Sequence, residues 1–446
     1  MSFSVSSLPY LNNIEAIANH FESQHLTLLD SPVSDHADAR WSILTAQPIE
    51  EFAIHDNQPA SIQALKENTQ RLSNLLNKVE TSYDHLPFTG GVIGICAYDL
   101  GITEKDIPAP AHTAKLTPLA AVRLFNWAYL WNHESKQSFL VYHSATTGPT
   151  QQNLIALYNS ARSSSERKAT LHTSRFSPSW NKNDYALAFN KAKQLILEGD
   201  VYQINLAQHY EATFSGTPLS GFFNLKNRAN APFSCYWHDE SWQLVSASPE
   251  RFISIEKGFA STKPIKGTRP NLGIKGEQSI LANSTKDRAE NLMIVDLLRN
   301  DLSKHCSNVK VPTLFAIESF PTVHHMVSTI TGKVKPNSTS LDVFWDAFPG
   351  GSITGAPKKR AMEIIHELEK HERSFYCGSL FYQSTNGHFD SNILIRSFVF
   401  ENQKVHSWAG GGIVADSSCE AEYQECSDKI SKLMLWLSEN QPTNTK

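Results

Sequence analysis

The sequence predicts an α+β fold. Capped amphipathic helices recur in its second part, and strand-like apolar runs lie between them. The two kinds of segment do not alternate regularly, which argues against a doubly wound parallel sheet.

In chain order, the first part runs to about residue 160 and is strand-rich. Its strand-like segments are LTLLD (26–30), RWSIL (40–44), GGVIGICAYDL (90–100), YLWNH (129–133) and FLVYH (139–143). Gly90, Gly91 and Gly94 beside a short apolar run predict close backbone packing inside a strand. Residues 161–179 are polar, Ser-rich and aperiodic, and read as a connector. The chain therefore divides into an N-terminal region (1–160), the connector and a second region (180–440).

In the second region, Asp184 to Glu198 carries apolar residues at 188, 192, 195 and 196 and stops at Gly199, an amphipathic helix with a glycine end. Val201–Ala207 alternates as a strand. Asn283 or Ser284 caps a helix to about Leu302, with Leu292, Val295, Leu298 and Leu302 expected on one buried face. Pro357 marks another helix start, with Ala361, Ile365 and Leu368 as its buried face. A last helix from about Glu420 to Leu437 is expected to bury Tyr423, Ile430, Leu433 and Leu437.

The composition narrows the function classes. Apolar residues make up 40% and charged residues 19%, and the formal net charge of −4 gives no global polyanion-binding surface. The start has neither a basic segment nor an apolar core like a signal peptide, and no run is long enough to span a membrane. The six cysteines are scattered, without a C-x-x-C, which suits a reducing cytoplasm better than a disulfide framework or a zinc site.

Three constellations could carry chemistry. Glu290 lies early in the 284–302 helix, while Glu422, Glu425 and Lys429 share one face of the last helix. Oxygen ligands from separate helices are what a hard Mg²⁺ ion takes, although a solvated charged stripe has the same spacing. PGGSITGAPKK (349–359) fails the phosphate-loop pattern because Ala356 follows Gly355. AGGGIVADS (409–417) offers bare backbone N–H groups, as a tight turn also would. In TKPIKGTRP (262–270), Lys266 lies among Lys257, Lys263 and Arg269, with Glu250 of SPERF (248–252) sixteen residues earlier. A lysine nucleophile with a carboxylic acid is one reading of that set, and an exposed basic loop is the other.

Together these segments resemble the chorismate-utilising enzyme family. SPERF, PIKGT, KDRAENLMIVDLLRNDLS, VHHMVSTI, FPGGSITGAPKKRAMEII, AGGGIVADS and EAEYQECSDK occur in the family's order, across about 180–435. The resemblance implies a large two-sheet β-sandwich flanked by helices. It implies Mg²⁺ held by Glu290 and Glu425, with Glu422 in the same helix motif. Arg396, Lys429, Gly410 and Gly412 would hold substrate carboxylates. His325, Thr354 and Tyr382 match other active-site positions, and Glu250 matches the general acid.

Two positions point within the family. The water-using branch carries Lys where this chain has Gln203, which favours ammonia as nucleophile. Anthranilate synthases, which aminate C2, carry Ala in place of Lys266. The implied reaction is amination of chorismate at C4, giving 4-amino-4-deoxychorismate, a precursor of 4-aminobenzoate, through a Lys266 covalent intermediate. Amination at C2 and an idle partner-binding subunit are the alternatives. No segment resembles a glutaminase domain, so a separate glutamine amidotransferase subunit is the expected partner. Phe381, where a glycine is usual, is expected to crowd the pocket, and Leu394 of SNILIRS (391–397) replaces a hydroxyl. Ser31, Arg40 and Trp41, walled by Pro232, Phe233 and Ser234, resemble the region that binds feedback tryptophan in anthranilate synthases.

Overall fold

The computed structural model describes residues 2–438 except 32–39, 56–60, 77, 80, 105–106, 108–116, 145–147, 162–169, 272, 275 and 320–322. Two antiparallel sheets, of 13 and 10 strands, form a sandwich with helices outside it. One buried apolar cluster lies between the sheets, drawing Leu130, Trp237 and Leu244 from the larger and Val92, Val122 and Ile253 from the smaller. A second cluster lies where the helices Glu15–Phe21, Pro218–Ala229 and Cys419–Leu437 cover the larger sheet.

Both sheets take strands from both sides of the 161–179 connector. In the larger sheet Thr27–Asp30 pairs with Phe233–His238, and in the smaller Gly91–Cys96 pairs with Ser379–Ser384. Of the connector, residues 162–169 lie outside the described residues, while Leu171–Thr173 and Ser177–Pro178 pair with the long strand Gln203–Gly216. That strand does not alternate: Gln203 to Gln208 are buried throughout, because helices cover the face that the core does not.

The helix ends follow their capping residues. Asn181 and Asp184 form a reciprocal capping box for Lys182–Leu197. Ser284 accepts from the Asp287 backbone N–H to start Thr285–His305. One face of that helix differs from expectation. Leu292 is 52% exposed, and Asn291, Ile294 and Asp301 are buried beside Val295, Leu298 and Leu302. The polar members have partners there: Ser328 Oγ donates to Asn291 Oδ1 at 2.5 Å and Lys358 Nζ to Asp301 Oδ2 at 2.7 Å. On the last helix, Tyr423 is half-buried, and Glu422 and Cys426 are among the buried residues.

Phe381 does not crowd a pocket. It is fully buried, stacks on Phe389 and contacts Phe344. A Cβ on Gly94 of the neighbouring strand would lie 2.4 Å from its ring, so the glycine predicted to pack closely makes room for this side chain. Leu394 is likewise a core residue.

Candidate active site

Two chain crossings between the sheets bring the candidate acid and Arg396 together. Ser248-Pro249-Glu250 links strand Trp242–Ser248 of the larger sheet to Arg251–Glu256 of the smaller. Residues 393–396 return from Phe389–Asn392 to Ser397–Glu401. The crossings bond to each other: Ile393 N–H donates to Glu250 O at 3.0 Å, Ser248 Oγ to Ile393 O at 2.6 Å, and Ala247 N–H to Arg396 O at 3.1 Å. Arg396 takes a left-handed backbone conformation with φ 55°, uncommon for a residue with a Cβ. Its guanidinium has no hydrogen-bond partner among the described residues. Burial holds it below its usual value, while the charge of Glu250 acts the other way.

Glu250 is 6% exposed. Burial pushes its carboxyl up to about 7, against the opposing pull of Lys266, the Ser352 hydroxyl and the Ile265 backbone N–H. An acid so poised can donate a proton near neutral pH. Ser352, in the short turn Gly351–Ile353, connects the two candidate catalytic groups: its Oγ donates to Glu250 Oε1 at 3.0 Å, and its carbonyl accepts from Lys266 Nζ at 3.2 Å. Ser352 lies in the family motif that also supplies Thr354, but its sequence position alone does not reveal that it links these two groups.

Lys266 extends from the strand Ile265–Pro270 at an edge of the smaller sheet. Cationic neighbours were expected there, but Lys257 and Arg269 are solvent-exposed. A carboxylate oxygen, Glu290 Oε1, lies 2.9 Å from Nζ. Gln203 Nε2 donates to the same oxygen at 3.3 Å.

The three acids expected at a metal converge on the glycine segment. Residues 409–413 belong to the strand Lys404–Ile413 and not to a turn. A Cβ on Gly411 would lie 2.9 Å from Glu422 Oε2 and 3.5 Å from Glu425 Oε1. One on Gly412 would lie 2.3 Å from Gln203 Nε2 and 3.2 Å from Glu290 Oε1. The bare glycines thus leave room for a cradle: Gly411 faces Glu422 and Glu425, and Gly412 faces Gln203 and Glu290. Glu422, whose Oε1 accepts from Ser417 Oγ at 2.7 Å, is raised by burial and by the nearby Glu425 charge. Among the described residues no group of three such side chains is placed to hold a metal ion. An all-oxygen set of mutually repelling acids nevertheless fits a hard divalent cation. Lys429 Nζ lies 2.6 Å from Glu425 Oε1 and donates to Gly410 O at 3.0 Å.

His325 and Thr354 also fall near this centre. His325 Nδ1 is 2.8 Å from Thr268 Oγ1, on the strand that carries Lys266. Thr354 follows the Ser352 turn, and its carbonyl accepts from Asn205 N–H at 2.8 Å, two residues from Gln203. Tyr382 is elsewhere. It lines a separate cavity of about 370 Å³ together with Ser31, Arg40, Trp41, Phe233 and Ser234. Ser31 Oγ bonds Pro232 O in that wall, and Arg40 pairs with Glu134. The structure therefore gathers Ser31, Arg40, Trp41, Phe233 and Ser234 into one pocket and adds Tyr382 to it.

No helix among the described residues is long and apolar enough to cross a membrane. Residues 27–435 match the chorismate binding enzyme family. Aminodeoxychorismate synthase component 1 of Escherichia coli (strain K12) is 40% identical over 92% of this chain and 92% of its own length. Anthranilate synthase component 1 of Bacillus subtilis (strain 168) is 30% identical over 97% of this chain and 90% of its own. The crystal structure of anthranilate synthase component I from Streptococcus pneumoniae TIGR4 superposes with a TM-score of 0.78, at 27% identity, covering 90% of this chain and 93% of that one. The ordered motifs, the two-sheet sandwich and these matches agree that the chain belongs to the chorismate binding enzyme family.

Proposed function

We propose that this chain converts chorismate and ammonia to 4-amino-4-deoxychorismate. One observation carries the reading: Ser352 bonds both the neutral-leaning acid Glu250 and the amine of Lys266. The similarity to an aminodeoxychorismate synthase component 1 supports it. In the first step Lys266 attacks C2 as the free amine, both conjugated ring double bonds shift by one position toward C4, and the C4 hydroxyl leaves as water with the proton of Glu250. Ammonia then attacks C4, both double bonds shift back, and the Lys266 amine departs. Gln203 beside Glu290, where the water-using branch has a lysine, supports ammonia as nucleophile.

Arg396 and Lys429, with the Gly410 and Gly412 backbone, would hold substrate carboxylates, and His325 and Thr354 would complete the wall. Glu290, Glu422 and Glu425 would hold Mg²⁺, which supplies positive charge for the ring carboxylate of chorismate. Ammonia would come from glutamine on a separate amidotransferase subunit. The buried free cysteines, such as Cys96, Cys235 and Cys377, suit a reducing cytoplasm. In the cavity around Trp41 and Tyr382, we propose a tryptophan-type amino acid as ligand.

The test is to identify the product made from chorismate, an ammonium salt and Mg²⁺. 4-Amino-4-deoxychorismate is expected, glutamine replacing the ammonium salt only when an amidotransferase subunit is added. Anthranilate as the sole product would overturn C4 amination, and no turnover would favour the idle-subunit alternative.

A further inference from the structure

Both carboxylates proposed as principal Mg²⁺ ligands already carry a lysine. Lys266 Nζ is 2.9 Å from Glu290 Oε1, and Lys429 Nζ is 2.6 Å from Glu425 Oε1. Gln203 Nε2 also reaches Glu290 Oε1, while Gln203 Oε1 is buried without a hydrogen-bond partner among the described residues. We propose that these ammonium groups are resident counter-ions that a divalent cation must displace, so that Mg²⁺ entry and release of Lys266 are one exchange. The inference rests on the Mg²⁺ reading above and adds what this chain's lysines do toward the ion.

The charges account for the exchange. A Glu290 oxygen that accepts from both an ammonium and an amide has little left for a third partner. An ammonium held that close would also repel an incoming divalent ion across a poorly solvated gap. Two ammonium contacts leave, and one doubly charged ion takes their place.

The two pairs are not equivalent. The Lys266–Glu290 side chains are 13% and 17% exposed, whereas those of Lys429–Glu425 are 45% and 48% exposed. Water and salt screen the second pair, so most of the competition lies at Lys266. The consequence concerns catalysis. Before the metal enters, Lys266 is held on Glu290 and on the Ser352 carbonyl. The exchange frees it toward the ring, so the nucleophile becomes available only in a site charged to hold the substrate. Lys266 thereby gains a positioning role beyond its proposed attack on C2.

Calorimetric titration of MgCl₂ into the metal-stripped full chain, without chorismate, tests this. Lys266→Met should bind Mg²⁺ roughly tenfold more tightly than the unsubstituted chain, and Lys429→Met should gain less, given their different shielding. Equal or weaker binding by Lys266→Met overturns the exchange. A second measurement needs no variant. Brief acylation with acetic anhydride, read by peptide mass spectrometry, should label Lys266 more in MgCl₂ than in chelator, and unchanged labelling overturns the exchange. Glu290→Gln separates the two levels of the argument. If it binds Mg²⁺ as well as the unsubstituted chain, the metal assignment fails, and the exchange with it. If it loses Mg²⁺ while Lys266→Met gains nothing, the metal assignment stands and the exchange alone falls.

Discussion

Glu250→Gln replaces a buried acid with a neutral side chain of nearly the same shape. Burial moves Glu250 from 4.5 to about 7, and that difference corresponds to about 3 kcal/mol of preference for the neutral form. The sign follows from the raised value. Stability from the neutral carboxyl is fully present below the unfolded value near 4.5, and it is lost as pH rises through about 7. Urea denaturation of both proteins at about pH 4.5 and about pH 8.5 reads this directly. The variant should gain on the unsubstituted chain by up to about 3 kcal/mol between those conditions. The same carboxyl governs the rate. If Glu250 protonates the departing hydroxyl, turnover should fall as pH rises above about 7. Glu250→Gln should lose that limb together with roughly 10²–10⁴-fold in rate. A limb that survives the substitution, or a stability difference that is the same at both pH values, would refute the argument that burial keeps this acid protonated.

The remaining consequences concern the metal cradle. Glu290→Gln and Glu425→Gln should each abolish Mg²⁺-dependent turnover while the circular dichroism and thermal transition stay close to those of the unsubstituted chain; full turnover in excess chelator would sink the assignment. Gly412→Ala places a Cβ 2.3 Å from Gln203 Nε2 and 3.2 Å from Glu290 Oε1, so it should displace both and weaken Mg²⁺ binding measured by calorimetry.

How much of this was legible in the sequence depended on the kind of signal. The start of the 284–302 helix was, because Ser284 caps it through a local bond that spacing reveals. The buried face of the 285–305 helix was misread at Leu292, because hydrophobic periodicity does not register the buried polar partners of Asn291 and Asp301. The family motifs pointed to Glu250 and Arg396, but not to how they meet. That depends on two sheet-to-sheet crossings that bond to one another, a long-range fact with no local signature. Lys266 was read from its cationic neighbours in sequence, whereas the fold brings it a carboxylate. Tyr382 and Phe381 show the limit of position matching: adjacent residues on one strand point to opposite faces, one lining the Trp41 cavity and the other filling the core.

The central claim is that Lys266 attacks the ring, and mass spectrometry of the intact site tests it most directly. The chain is mixed with chorismate and Mg²⁺ but no ammonia, quenched and digested. The account predicts an adduct on the peptide holding Lys266, absent from Lys266→Ala and from Lys266→Arg, whose guanidinium stays protonated. It also predicts that Lys266→Ala loses most C4 amination when ammonia is supplied. An unmodified Lys266 peptide, together with undiminished 4-amino-4-deoxychorismate from Lys266→Ala, would contradict it.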